Sequence, residues 1–298
     1  VSTTASEVSQ VSGSGADLIT SRRNPLVRRL RSLSTSSGRQ QDGHILLEGT
    51  HQLQELLSLP KRFTEPVKVI ATPGWLNANS DLIDRLDGVI DLQLMGDEAL
   101  RAALSTVNPG GVACLWPIDA LPSSAKAPTF VLALDRVQDP GNVGTLLRTA
   151  LAADVDEVWL AAGADPLAPK VVRSAAGALL RLPLQRFGPT DDVGIEQLAE
   201  KLHLAREQGL QVVATLVPDS AAGMAVIPYW ELDWCRPTVL LLGNEASGLH
   251  PSLQACCSQG VTLPHSALIE SLNVASAAVP LLLERRRATM TASMQQSG

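Results

Sequence analysis

Apolar positions along the chain follow two rhythms, one of period near 3.6 and one of short unbroken runs. Leu26, Leu30 and Leu33 recur at helical spacing within residues 24–33, with arginines on the other faces, which predicts a short amphipathic helix. HILLEGTHQLQELLSL, residues 44–59, reads as a strand running into a helix. Apolar runs at 67–71, 89–94 and 112–116 then alternate with helical stretches at 81–86 and 97–104, the pattern of a small α/β domain. DALPSSAKAPT, residues 119–129, is rich in Pro and Ser and has no period, so a linker is placed there. Beyond it, strands are predicted at 130–134, 157–160, 212–215, 238–242 and 260–263. Helices between most of them imply a largely parallel sheet. A last helix is expected at 272–287, kinked by Pro280. The opening VSTTASEVSQVSGSG has no apolar face and reads as a disordered tail over residues 1–16. The predicted organisation is therefore a tail, a domain over 17–118, a linker over 119–129 and a larger domain over 130–298.

Composition agrees with this architecture. Hydrophobic residues make up 45% of the 298 and charged residues 18%, which suits buried parallel strands. Aromatics are only 3%, so base stacking is not the main mode of any nucleic-acid contact. The net charge of −6 hides a local imbalance. Arg22, Arg23, Arg28, Arg29, Arg31 and Arg39 fall within residues 18–40, where no acid stands, and such a patch calls for an anionic partner. Cys114, Cys235, Cys256 and Cys257 show neither CxxC spacing nor a disulfide framework, so a reducing, cytoplasmic setting and no metal are expected. No apolar run approaches the ~20 residues of a membrane span, and the N-terminal stretch lacks the apolar core of a signal peptide.

Three loops that follow strands carry the candidate chemistry. The first is LDRVQDPGNVGTLLRTA, residues 134–150. Its Gly141 and Gly144 make GxxG rather than GxGxxG, and no GK[ST] follows, so a phosphate cradle is disfavoured. A turn with Asn142 capping the helix explains most of it, but not Arg148 within an otherwise apolar helix. A buried or half-buried arginine needs an anion. The second is LLLGNEASGLH, residues 240–250, with Asn244 and Glu245 at the carboxyl end of an apolar strand, where open α/β sheets bind ligands. There Gly243 and Gly248 would admit a ligand close to the backbone. The third, VTLPHSALIESLNVASAAVPLLLE, residues 261–284, opens a helix of small residues, with Ser271 as its cap and Asn273 in its first turn.

These residues carry a resemblance. DPGNVGTLLRTA, LLGNEASGL and LPHSALIESLNVASAA resemble the three ordered motifs of the SpoU/TrmH family of RNA ribose 2′-O-methyltransferases. APKVVRSAAGALLRLPL is similar to the stretch between the first two, and residues 19–115 look like the L30e-like RNA-binding domain of many members. The third motif departs from the family pattern: His265 stands at a commonly apolar position, a frequent Gly is absent, and Ala275-Ser276 replaces the common Ser-Val. The resemblance implies a SPOUT fold with a deep trefoil knot, S-adenosylmethionine held bent by the knot loops, and a homodimer whose interface helps complete each active site.

By the same resemblance, Asn142, Arg148, Glu245, Ser271 and Asn273 are the catalytic set. Thr215, Leu242, Gly243, Leu263, Leu272 and Asn273 would hold the cofactor, and the six N-terminal arginines would bind RNA. A guanidinium keeps its proton in proteins, so Arg148 is assigned to gripping a phosphate through a bidentate pair. Asn142 and Ser271 would orient the ribose hydroxyl, and Glu245 would hold Arg148 or Asn273. The implied activity is 2′-O-methylation of structured RNA, ribosomal RNA ahead of transfer RNA. The alternatives are a non-catalytic RNA-binding or ribosome-assembly protein and a dinucleotide oxidoreductase, the latter disfavoured by the missing fingerprint.

Overall fold

The computed structural model describes residues 17–60, 66–84, 90–217, 223–266 and 268–296. The tail expected over 1–16 lies outside them, as does the end of the helix expected at 81–86. The first half runs α1 (Pro25–Ser32), α2 (Ser36–Asp42), β1 (His44–Glu48), α3 (Thr50–Leu57), β2 (Val67–Ala71), α4 (Pro73–Ala78), α5 (Ser80–Asp84), β3 (Ile90–Leu94), α6 (Asp97–Ala103) and β4 (Val112–Pro117). Its sheet has the order β1-β4-β2-β3 and is mixed: β4 is antiparallel to both β1 and β2, whereas β2 and β3 are parallel. Helix α1 starts where Asn24 accepts the Leu26 N–H and Pro25 presets the first turn. Val27, Leu30 and Leu33 are buried on the face that the helical period marks.

The second half runs β5 (Phe130–Asp135), α7 (Pro140–Ala152), β6 (Glu157–Ala161), α8 (Pro169–Ser174), β7 (Leu184–Phe187), α9 (Asp191–Glu207), β8 (Gln211–Thr215), β9 (Val226–Pro228), β10 (Thr238–Leu242), α10 (Pro251–Ala255), β11 (Gln259–Thr262) and α11 (Val274–Gln296). All its strands are parallel, in the order β7-β6-β5-β10-β8-β11-β9. The two apolar strands β5 and β10 lie side by side at the centre, buried along their whole length. The chain fills one side of β5 with β6 and β7 and the other with the later strands, so its path reverses between β5 and β10. Loops leaving the carboxyl ends there diverge and leave a crevice. The sequence did not predict β7 and β9. Both are short edge strands that lack a long apolar run.

The two halves share one core. Ile45, Leu47, Leu53 and Leu56 of the first half belong to the same buried cluster as Val171, Val172, Leu179 and Leu180 of the second. Polar contacts seal the seam. Gln52 Nε2 donates to the Val172 carbonyl at 2.9 Å, Glu48 pairs with Arg173 at 3.4 Å, and Glu55 pairs with Arg181 at 3.2 Å. Arg39 is only 3% exposed; it donates to the Leu33 carbonyl at 2.7 Å and pairs with Asp165 across the seam. Arg39 therefore answers a half-buried carboxylate within the chain, which corrects the expectation that it faces RNA. Removing Asp165 would strand the buried Arg39 charge.

Helix α7 packs tightly on α8 through Gly144. A Cβ there would stand 2.1 Å from Ser174 Oγ, 2.6 Å from Ser174 Cβ and 2.9 Å from the Ala175 nitrogen. Since backbone as well as side chain is in the way, α8 would have to move. Gly144→Ala is expected to destabilise the fold by about 1–3 kcal/mol, the usual cost of overpacking. Urea denaturation would measure this, and a variant as stable as the parent would show that the α7–α8 contact is soft.

Candidate active site

Three loops meet over the carboxyl ends of β8, β10 and β11. They enclose a cleft of about 720 Å3 whose lining includes Thr215, Leu242, Gly243, Glu245, Leu263, Ser271 and Leu272. Glycine has a different task here from the one the sequence suggests. A Cβ on Gly243 would sit 2.5 Å from the carbonyl carbon of Gly248, so the loop needs Gly243 to fold back on itself. Gly248 turns the chain with φ +67°, a conformation that glycine adopts without strain.

The second loop is fastened to the segment that follows β5. Asp135, 1% exposed, accepts the His250 N–H at 2.7 Å, and Asn244 Nδ2 donates to the Arg136 carbonyl at 2.8 Å. Arg136 also grips Asp135 with Nε at 2.7 Å and Nη2 at 3.1 Å, and adopts φ +51°. Asn244 Oδ1 collects the N–H groups of Ala246 and Ser247, which closes the turn. Sequence reasoning passed over Asp135. The signal was a carboxylate closing a fully apolar strand, a place where burial demands a partner.

At the centre stand Asn142, Glu245 and Asn273. Asn273 Oδ1 accepts the N–H groups of Ala275 and Ser276 at 3.0 and 3.1 Å, so Asn273 rather than Ser271 caps α11. Its amide nitrogen is thereby turned outward and donates to Asn142 Oδ1 at 3.0 Å. Asn142 Nδ2 in turn donates to Glu245 Oε1 at 3.0 Å. The other oxygen, Oε2, accepts the Gln138 N–H at 3.3 Å. The helix α7 that carries Asn142 is capped by Asp139, which accepts the Asn142 N–H at 2.9 Å and frees the asparagine side chain for this work. Both predicted caps therefore give way to a neighbour. Burial pushes the Glu245 carboxyl up, but the Asn142 amide and the N–H groups of Glu245, Gln138 and Asp139 outweigh it and hold it below the usual carboxylate range.

The remaining predicted residues stand apart from this chain of amides. Ser271 is exposed on the cleft wall with its hydroxyl unengaged among the described residues. Arg148 is exposed, not buried, and no described residue pairs with it, which overturns the premise that the helix itself demands an anion for it. Six residues after Asn142, it lies roughly 9 Å further along α7 and about 120° round it. Glu245 holds neither Arg148 nor, directly, Asn273; it reaches Asn273 through Asn142.

The cleft fits a partly apolar ligand with a few polar groups. Leu242, Leu263 and Leu272 supply apolar walls. Thr215 Oγ1, at the end of β8, is buried without a hydrogen-bond partner. A buried hydroxyl left unpaired is costly, and a ligand atom in the cleft would satisfy it. The buried thiols are inert by contrast, since burial pushes Cys114 and Cys257 each up to about 12.

The N-terminal arginines divide into two groups. Arg22 pairs with Glu98 at 3.0 Å, and Arg29 holds Asp42 at 2.7 and 2.9 Å. Arg23, Arg28 and Arg31 are exposed and unpaired among the described residues.

Comparison with known proteins places this geometry. The model of the SpoU rRNA Methylase family matches residues 129–282. An uncharacterized tRNA/rRNA methyltransferase of Synechocystis sp. is 40% identical over 278 residues, covering 92% of this chain and 95% of that one. A 23S rRNA (guanosine(2553)-2′-O)-methyltransferase of Bacillus subtilis is 31% identical over 271 residues, covering 90% and 98%. Among solved structures, an AdoMet-bound rRNA methyltransferase from Sinorhizobium meliloti superposes with a TM-score of 0.72 at 25% identity, covering 91% of this chain and 98% of that one. With a family match over half its length and relatives along nearly all of it, this chain belongs to the SpoU rRNA methylase family.

Proposed function

We propose that this enzyme methylates a ribose 2′-hydroxyl of structured ribosomal RNA, with S-adenosylmethionine as the methyl donor. The observation that carries the reading is the convergence of Asn142, Glu245 and Asn273 beside a cleft that Ser271 lines and that holds an unsatisfied Thr215 hydroxyl. Thr215, Leu242, Gly243, Leu263, Leu272 and the backbone near Asn273 would hold the cofactor. When bound, it supplies the methyl group and a thioether leaving group, so the protein's task is alignment and removal of one proton. Asn142 keeps a second amide hydrogen and a second lone pair for the substrate, and Ser271 offers an unengaged hydroxyl, so both are placed to orient the ribose. Arg148 is assigned to gripping the neighbouring phosphate, and that phosphate would help accept the proton. The intact polar set argues against a non-catalytic RNA-binding protein, and the cleft lacks a glycine fingerprint for a dinucleotide. The Bacillus subtilis relative is similar through the N-terminal half as well, which favours ribosomal over transfer RNA. We read the neighbouring loops at 243–250 and 263–273 as the SPOUT knot, residues 17–118 as an L30e-like RNA-binding domain, and the cytoplasm as the working compartment.

We also infer a homodimer. Val279, Leu283, Met290 and Met294 form an exposed apolar stripe along α11, the face that a second copy would cover. Arg148 lies about 120° round α7 from Asn142 and is exposed, so we assign it to the site completed with the partner subunit.

Four results test these readings. Purified protein should bind S-adenosylmethionine but not NAD in calorimetry and transfer labelled methyl to ribosomal RNA. Arg148→Ala should abolish transfer while cofactor affinity stays within about threefold, roughly 0.65 kcal/mol. Arg148→Lys should restore little, since a point charge lacks the guanidinium fork. Wild-type turnover in the alanine variant would remove Arg148 from the mechanism. Light scattering should give twice the chain mass, and a fully active monomer would sink the dimer. Finally, neutralising Arg23, Arg28 and Arg31 should lower the salt slope of RNA binding by roughly 0.7–0.9 for each phosphate no longer neutralised, with cofactor affinity unchanged. An unaltered slope would make them ordinary surface charges.

A further inference from the structure

The charge of the cofactor cleft is one-sided. Two carboxylates, Glu245 and Glu270, line it, and no lysine or arginine does so among the described residues. His265 also lines it, with Nδ1 fixed at 2.8 Å from the Leu263 carbonyl. The two carboxylates differ in how they are engaged. Glu245 spends both oxygens on Asn142 and on the Gln138 N–H. Glu270, on the rim immediately before Ser271, forms no hydrogen bond or ion pair among the described residues. Its charge is therefore uncompensated among the described residues and open to water and to whatever occupies the cleft.

The methyl donor and its product differ in charge at one atom. S-adenosylmethionine carries a sulfonium cation; after the methyl leaves, the same sulfur is a neutral thioether. Apart from the departing methyl, every other group that the cleft could touch is shared by the two molecules. A nearby carboxylate attracts the first and gives the second nothing at that atom, so it discriminates between them. We propose that Glu270 is a specificity-determining residue that biases this cleft toward the cationic donor and against the demethylated product. The proposal rests on the cofactor assignment above, and its consequence is weaker product inhibition. The effect is modest because Glu270 is exposed and water and salt screen it.

Calorimetry with three ligands tests this without recourse to activity. S-Adenosylmethionine carries the sulfonium, S-adenosylhomocysteine the neutral thioether, and sinefungin an ammonium near the same place. Glu270→Gln should weaken S-adenosylmethionine and sinefungin by about threefold, the scale of one exposed charge pair. Binding of S-adenosylhomocysteine should hold within twofold, which also shows that the variant is folded. Glu270→Asp should keep most of the preference. In the parent, the preference should contract at about 1 M salt, where the Debye length is about 3 Å. If Glu270→Gln weakens all three ligands equally, the residue grips a group they share and the proposal fails. If none of the three changes, Glu270 does not sense the ligand and the proposal also fails. A parent protein that binds none of them would instead overturn the cofactor assignment.

Discussion

The site depends on the direction of two amide groups. Asparagine is nearly symmetric in shape and opposite in polarity at its two ends, so each one in a functional site must be told which way to face. Here the instruction starts at the N-terminus of α11. The helix offers N–H groups that need an acceptor, which fixes Asn273 Oδ1 inward and its nitrogen outward. At the other end, an ionised carboxylate can only accept, which turns Asn142 Nδ2 toward Glu245. The two constraints agree in the middle, where Asn273 donates to Asn142 Oδ1. A helix terminus and a carboxylate thus impose one polarity on groups drawn from three loops distant in sequence.

The fold supplies that meeting place through the order of its strands. Because β5 and β10 are neighbours at the point where the sheet reverses, the loops after them lie side by side. Asp135 then fixes the second loop from below, through the His250 N–H, in a region too dry for its charge to stand unpaired. The site thus sits at the centre of a parallel sheet buried on both faces.

What was legible in the sequence follows from which forces are local. The central strands could be read because β5 and β10 are apolar on both faces, whereas β9, three residues at the sheet edge, carries too little pattern to be seen. The polar residues of the cleft were legible as a set through motif resemblance, but their connections were not. Asn142 looked like a helix cap, yet the Pro at the first helical position already pointed to Asp139 as the residue before it. In Ser271-Leu272-Asn273 two residues could cap, and only the path of the loop decides between them. Arg39 misled most. It stands in the polar stretch SSGRQQD, and the carboxylate that buries it lies in the other half of the chain. No local pattern reports a partner that far away.

The core that joins Leu47 to Val172 has a consequence for how the two halves fold. An appended domain joined by a flexible tether can be exchanged, lost or duplicated while its neighbour goes on folding. Here the first half closes the hydrophobic surface of α8 and supplies counter-charges to Arg173 and Arg181. Substitutions on either side of the seam must answer one another. The chain has the look of a modular protein, yet its two halves are expected to lose their structure together, as parts of a single core do.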